Sequence, residues 1–341
     1  MRCCLLLLVT VIVSIGATAQ ENTDYAAAAI PTVTGLKKPA NLATSAKKQN
    51  IQASRKLTDS GLVSGDAKNG RLQAIAFAGS SLPQLCDPQS AAVDFRQLGG
   101  VSPVKSQGAC GACWAFATNA ALESSYLLRR KASIDASEQE LISCSNAGSC
   151  GGGWWAFDFH VTPGIEASSS LSYQATDAAC PQSIRTDYKA ITWGYVDAKG
   201  GLPSITELKS AMCQHGPLTV GMFVDPAFQI AMRDQHDPDY VFQTSNQGQV
   251  NHAVELVGWD EGKQAWLIKN SWGSQLGSSG FMWVHYGSSS LGDGAAWVEV
   301  QPTTIINLGL FKTAKASIQL EGTEAAAKAR IAATTKAAAP Q

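Results

Sequence analysis

The sequence predicts an α+β protein of two lobes, a helical one from the first half and a β-rich one from the second, with a cleft between them. Three observations carry that expectation. From residue 113 to 130, Phe116, Ala117, Ala120, Ala121, Tyr126 and Leu127 recur at helical spacing. After about Gly200 the texture becomes β, with strand candidates at 218–224, 254–259, 265–269 and 281–286 separated by Gly, Ser and Asn turns. The 341 residues are 45% hydrophobic and only 16% charged, enough for one large or two smaller cores.

In chain order, the N-terminus reads as a secretory leader. Arg2 gives a positive start, Leu5 to Ile15 is apolar, and Ala17-Thr18-Ala19 is a small-residue cleavage site. Cleavage after Ala19 and an oxidising destination are expected: the medium, a periplasm or an acidic organelle. The apolar run is too short for a membrane span, and no later run is longer. Residues 20–81 are rich in Ala, Lys, Ser, Thr and Gly, with two aromatics, Tyr25 and Phe77, so they have little to bury. A globular body is expected at 82–301. An Ala/Lys-rich tail at 302–341 has no apolar face that requires docking.

Charge divides the same way. Residues 81–301 hold 12 Lys/Arg against 21 Asp/Glu, a net of −9. Residues 20–80 hold 8 against 4, and residues 302–341 hold 5 against 2, nets of +4 and +3. The total of −1 argues against nucleic acid as a partner.

Within the body, Arg129, Arg130 and Lys131 suit the C-terminus of the 113–130 helix. Ser137 and Glu140 are spaced as a capping box for a second helix. Nine cysteines fall to seven when Cys3 and Cys4 leave with the leader: Cys86, Cys110, Cys113, Cys144, Cys150, Cys180 and Cys213. An odd number in an exported protein points to one reactive thiol or an intermolecular bond. Cys113 opens the first helix, where a helix N-terminus favours the thiolate, so it is the candidate nucleophile. Three other readings stand beside this one: Cys113 as one more disulfide cysteine, Cys110-Gly-Ala-Cys113 as a redox pair, and Cys110, Cys113, Cys144 and Cys150 as a zinc site. A nucleophilic cysteine needs a histidine to ionise it and a group to orient that histidine. His252, in Val-Asn-His-Ala-Val, and Asn270, in Asn-Ser-Trp-Gly, are candidates for those roles. Trp272 would shield their hydrogen bond from water. The Gln107 amide and the Cys113 N–H would stabilise the oxyanion.

Gln107 to Phe116 closely resembles the active-site segment of papain-like cysteine proteases. Val250–Val254, Asn270–Gly273, Ser137–Leu141 and Cys150–Gly153 are also similar to that family's segments and stand in its order. The resemblance covers about residues 82–300. It implies a papain-like fold whose β-rich lobe is barrel-like, and a cysteine endopeptidase made as a zymogen; no long insertion resembles an exopeptidase loop. It implies Cys110–Cys150 and Cys144–Cys180 disulfides. Cys86 and Cys213 lie outside that pattern and are expected to pair with each other. The resemblance also implies that Gly152 and Gly153 hold extended substrate by their backbones. By the same resemblance, Trp154, Trp155, Gly221 and Ala253 line the main specificity pocket. Small residues at 221 and 253 suit a bulky apolar side chain. No cofactor and no metal are expected, the partners are protein or peptide substrates, and the protein is expected to act as a monomer. Residues 20–81 stand where an inhibitory prosegment would be, although they lack the helical motifs of the larger subfamily. Their positive charge against the acidic body makes them a candidate inhibitor.

Overall fold

The computed structural model describes residues 35–40 and 84–302. The leader expected at 1–19, the remainder of 20–81 and the tail from 303 lie outside the described residues.

The first strand, β1 (Ala92–Asp94), leads through a loop into α1 (Cys113–Arg130). Every residue of α1 except Leu127, Arg129 and Arg130 is buried. Such a helix keeps its polar side chains inside only if each has a partner. Thr118 Oγ1 donates to the Trp114 carbonyl, Asn119 Nδ2 to the Ala136 carbonyl and Ser124 Oγ to Glu255. Lys131 closes α1 in the left-handed conformation, with its N–H bonded back to the last turn.

The helical side continues with α2 (Glu138–Cys144), the short hairpin β2 (Gly148–Ser149) and β3 (Gly152–Gly153), and α3 (Phe157–Val161). Only half of the expected capping box forms. Ser137 Oγ accepts the Glu140 N–H at 3.1 Å, but the Glu140 carboxylate bonds the Glu166 N–H at 2.7 Å, and the Ser137 N–H goes to the Glu166 carbonyl. A neighbouring loop has replaced the local partner.

The remaining elements are β4 (Thr192–Tyr195), α4 (Ile205–His215), β5 (Leu218–Met222), α5 (Pro226–Asp234), β6 (Val241–Phe242), β7 (His252–Asp260), β8 (Ala265–Lys269), β9 (Phe281–His285) and β10 (Asp293–Glu299). The sheet runs β4-β10-β5-β7-β8-β9-β6, with β1 on β7, antiparallel except for β6 on β9. The expected barrel does not close, since the end strands β4 and β6 do not pair; β6 is only two residues long. Helices α4 and α5 interrupt a region that reads as β. α4 has a complete capping box from Ser204 and Glu207, and α5 starts with an Asp225 cap and Pro226.

Two apolar cores flank the long helix. One joins α1, α2 and the Trp154–Phe157 stretch to Val250, Ala253, Ala296 and Val298. The other fills the sheet's opposite face with Met222, Phe228, Trp259, Trp266 and Ile268. α1 thus presents its N-terminus beside the start of β7. Among the described residues, no helix is long and apolar enough to cross a membrane.

Candidate active site

Cys113 opens α1 and is fully buried. It is the one free cysteine among the described residues. Disulfides join Cys110 to Cys150, Cys144 to Cys180 and Cys86 to Cys213. These bonds consume three of the four ligands that a zinc site would need, and they separate Cys110 from Cys113. The Cys86–Cys213 bond anchors the chain ahead of β1 to α4, and the Leu85 N–H adds a bond to the Cys213 carbonyl.

His252 begins β7, and the backbone of the next residue, Ala253, hydrogen-bonds to the Cys113 thiol. His252 Nε2 lies 2.9 Å from Asn270 Oδ1. With the Asn oxygen as acceptor, Nε2 carries the hydrogen in the neutral ring and Nδ1 keeps its lone pair. Nδ1 has no hydrogen-bond partner, although it is buried. The Trp272 indole packs 4.7 Å from the imidazole, centroid to centroid.

Gln107 is buried and held on every side. Its N–H donates to the Ser271 carbonyl, its Oε1 accepts from Ser271 Oγ at 2.7 Å, and Nε2 donates to the Cys110 carbonyl at 2.9 Å. Tyr173 also donates to the Gln107 carbonyl. Ser271, which the sequence did not single out, therefore fixes which way the Gln107 amide points. A Ser directly after Asn270 is the one trace of this role in the sequence.

Burial dominates the protonation of this site. It pushes the Cys113 thiol up to about 12, against a weaker downward pull from the Ala253 and Trp114 backbone. It pushes His252 down to about 4, with the Asn270 hydrogen bond opposing. The covered site is therefore neutral thiol beside neutral imidazole.

The cover is the chain's own residues 35–40. Leu36 bridges Gly153 in parallel sense, with the Gly153 N–H on the Gly35 carbonyl at 2.8 Å and the Lys37 N–H on the Gly153 carbonyl at 2.9 Å. The Asn251 carbonyl accepts the N–H groups of both Gly35 and Leu36. A Cβ at Gly35 would lie 2.6 Å from Cys113 Sγ and 2.6 Å from the Gly111 carbonyl oxygen, so only glycine passes over the thiol. Leu36 is buried in the apolar cluster that holds Val250, Ala253, Trp154 and Trp155. A Cβ at Gly221 would come within 3.0 Å of Leu36 Cδ2, so the absent side chain at 221 is the space that Leu36 fills. Lys38 reaches Asp293 at 2.7 Å.

The other expected subsite residues separate into two groups. Gly152, Gly153, Gly221 and Ala253 meet residues 35–37 or the thiol directly. Trp154 and Trp155 stack on each other at 4.4 Å, with their indole N–H groups bonded to the Tyr195 hydroxyl and the Gly294 carbonyl. They form the wall behind the pocket. Gly35, Leu36, Lys38, Asn251 and Asp293 were not singled out in the sequence. A glycine and a leucine before two lysines are the only mark that Gly35, Leu36 and Lys38 leave.

Residues 89–299 match the family model described as papain family cysteine protease. "Gamete and mating-type specific protein A" of Dictyostelium discoideum is 38% identical over 198 residues, 56% of this chain and 42% of that protein. The structure of the bromelain protease from Ananas comosus in complex with the E64 inhibitor is 27% identical with a TM-score of 0.53, covering 62% of this chain and all of that one. The Amb a 11 cysteine protease, a ragweed pollen allergen solved in its proform, is 26% identical with a TM-score of 0.54 over 62% of this chain and 66% of that one. The chain spans 42–62% of the length of the curated relatives it matches.

Proposed function

Because the chain belongs to the papain family of cysteine proteases, we propose that it is an exported endopeptidase, made as a zymogen, that cleaves peptide bonds through Cys113 and His252. One observation carries the reading: the one free thiol among the described residues, at a helix N-terminus, adjoins a histidine whose far nitrogen is tied to Asn270 and whose near nitrogen is unpartnered. When the cleft opens, water returns and the penalty on charge falls, so the Cys113 proton passes to His252 Nδ1. The thiolate attacks the peptide carbonyl carbon. The Gln107 Nε2 hydrogen not used by Cys110 and the Cys113 N–H receive the resulting oxyanion. The tetrahedral species collapses, the C–N bond breaks, and the amine leaves with the proton held by His252. Water, deprotonated by His252, then hydrolyses the thioester and restores the thiol.

Residues 35–40 supply the latency. The Gly35 carbonyl is engaged by the Gly153 N–H rather than by the Gln107 amide, so its carbon is not activated for attack. That Amb a 11 crystallised in its proform supports a comparable latent state here. The leader at 1–19 supports export, and endopeptidase rests on the lack of any inserted loop resembling an exopeptidase's. Fluorogenic peptide hydrolysis by the full chain, before and after limited proteolysis, tests the reading. Cys113→Ala should lower kcat by on the order of 10⁵-fold or more. Activity should also vanish with E64 and survive chelator. Activity that persists in Cys113→Ala would end the proposal.

A further inference from the structure

Residues 35–40 are held in the cleft by backbone bonds to Gly153 and Asn251, which do not read side chains. Two side chains add specific contacts. Leu36 fills the space over Gly221, and Lys38 Nζ lies 2.7 and 2.9 Å from the two carboxylate oxygens of Asp293. Asp293 opens β10 directly opposite Gly221, the floor of the Leu36 pocket. Its backbone is fixed on both sides. Gly292 and Gly294 adopt positive φ of 105° and 65°, and their N–H groups bond to the Gly221 and Gly201 carbonyls. The Asp293 side chain is only 17% exposed. A rigid, largely buried carboxylate thus stands at the rim of the pocket, facing the cleft.

We propose that Asp293 is a specificity-determining residue: the enzyme prefers peptides carrying a Lys or Arg two residues beyond the apolar side chain, on the side away from the scissile bond. The latent segment shows the spacing, with Gly35 at the thiol, Leu36 in the pocket and Lys38 on Asp293. A substrate whose acyl part fills the same positions meets the same carboxylate. Gly153 offers both its N–H and its carbonyl to an extended chain of either direction, so the cation lies two residues N-terminal to the apolar one in such a substrate. This inference rests on the peptidase reading above.

The test uses full-length protein carrying Leu36→Glu and Lys38→Gln, which clear the cleft. Two coumarylamide peptides, Lys-Ala-Leu-Gly and Gln-Ala-Leu-Gly, place the leucine one residue from the cleaved bond. A partly exposed ion pair of this kind predicts a preference for the Lys peptide of about fivefold in kcat/KM. Asp293→Asn should collapse the ratio to about one, Asp293→Glu should restore part of it, and Asp293→Lys should favour a Glu-Ala-Leu-Gly peptide instead. High salt should narrow the wild-type ratio. Damage to the fold would lower both rates and leave the ratio standing. Equal cleavage of both peptides by protein with Asp293 intact, or a ratio indifferent to Asp293, overturns the role of Asp293 alone. Cleavage of neither peptide overturns it together with the peptidase reading.

Discussion

Two clusters of ionisable groups lie along α1, and the protein treats them in opposite ways. At the N-terminus, Cys113 and His252 are buried and neutral, with His252 Nδ1, Asn270 Nδ2 and Trp272 Nε1 lacking partners. Near the middle, Glu123 and Ser124 meet a chain of charges. Glu123 accepts from Ser102 Oγ at 2.6 Å and pairs with Lys105 at 2.7 Å; Lys105 also pairs with Glu138. Ser124 Oγ donates to Glu255 at 2.6 Å, and Glu255 pairs with Lys269, its cross-strand neighbour in β7 and β8, at 3.0 Å. Burial works against the Lys105 charge, yet Glu138, Glu123 and Asp135 outweigh it and hold Lys105 above its usual value. For Glu138 burial wins, pushing the carboxyl up to about 7 against the pull of Lys105. Similar burial gives a structural clamp where groups are paired and a neutral, unsatisfied centre where they are not. The clamp also has a geometric use. It ties the helix that carries Cys113 to the strand that carries His252, and it ends at Lys269, one residue before Asn270.

Breaking the clamp should have the largest effect on stability. Glu255→Ala leaves Lys269 buried and unpaired, which costs about 3–5 kcal/mol. Scanning calorimetry should show a fall in Tm on the order of 10 °C. A fall of less than about 2 °C would remove the clamp from the account. Asn270→Ala loosens the other cluster. It frees the His252 ring, so kcat should fall about 10²-fold with far less change in Tm. An Asn270→Ala enzyme with full kcat would mean that some other group orients the imidazole.

How legible these features were in the sequence depends on the range of the forces. α1 was readable because its spacing and its basic C-terminus agree within one segment. Strands β5, β7, β8 and β9 were readable as apolar runs set off by Gly, Ser and Asn turns. Cys113 was marked by the odd cysteine count and its place at a helix start, whereas His252, Asn270 and Gln107 stood out through a family resemblance, because none of them alone carries a signal. Helices α4 and α5 were missed although Ser204-Glu207 and Asp225-Pro226 announce them, since the β-rich flanks dominated the reading. The inward pairing of Glu255 with Lys269 left no mark in the sequence. Only the packing of α1 against β7 turns them inward. Residues 35–40 left almost no trace, because the hydrogen bonds of the Gly35, Leu36 and Lys37 backbones need no particular side chain.

The Cys113–His252 centre is kept neutral by its cover rather than by its own composition. The rate of Cys113 alkylation by iodoacetamide, followed by mass spectrometry from pH 5 to 9, tests this most directly. In the intact full chain the thiol, pushed up to about 12 by burial, should react slowly across the range, and its rate should still be rising at pH 9. In full-length Leu36→Glu, which cannot seat its side chain over Gly221, the rate at pH 6 should rise at least about tenfold and level off below pH 7, as expected for a thiolate–imidazolium pair. Identical profiles for the two proteins would contradict the account.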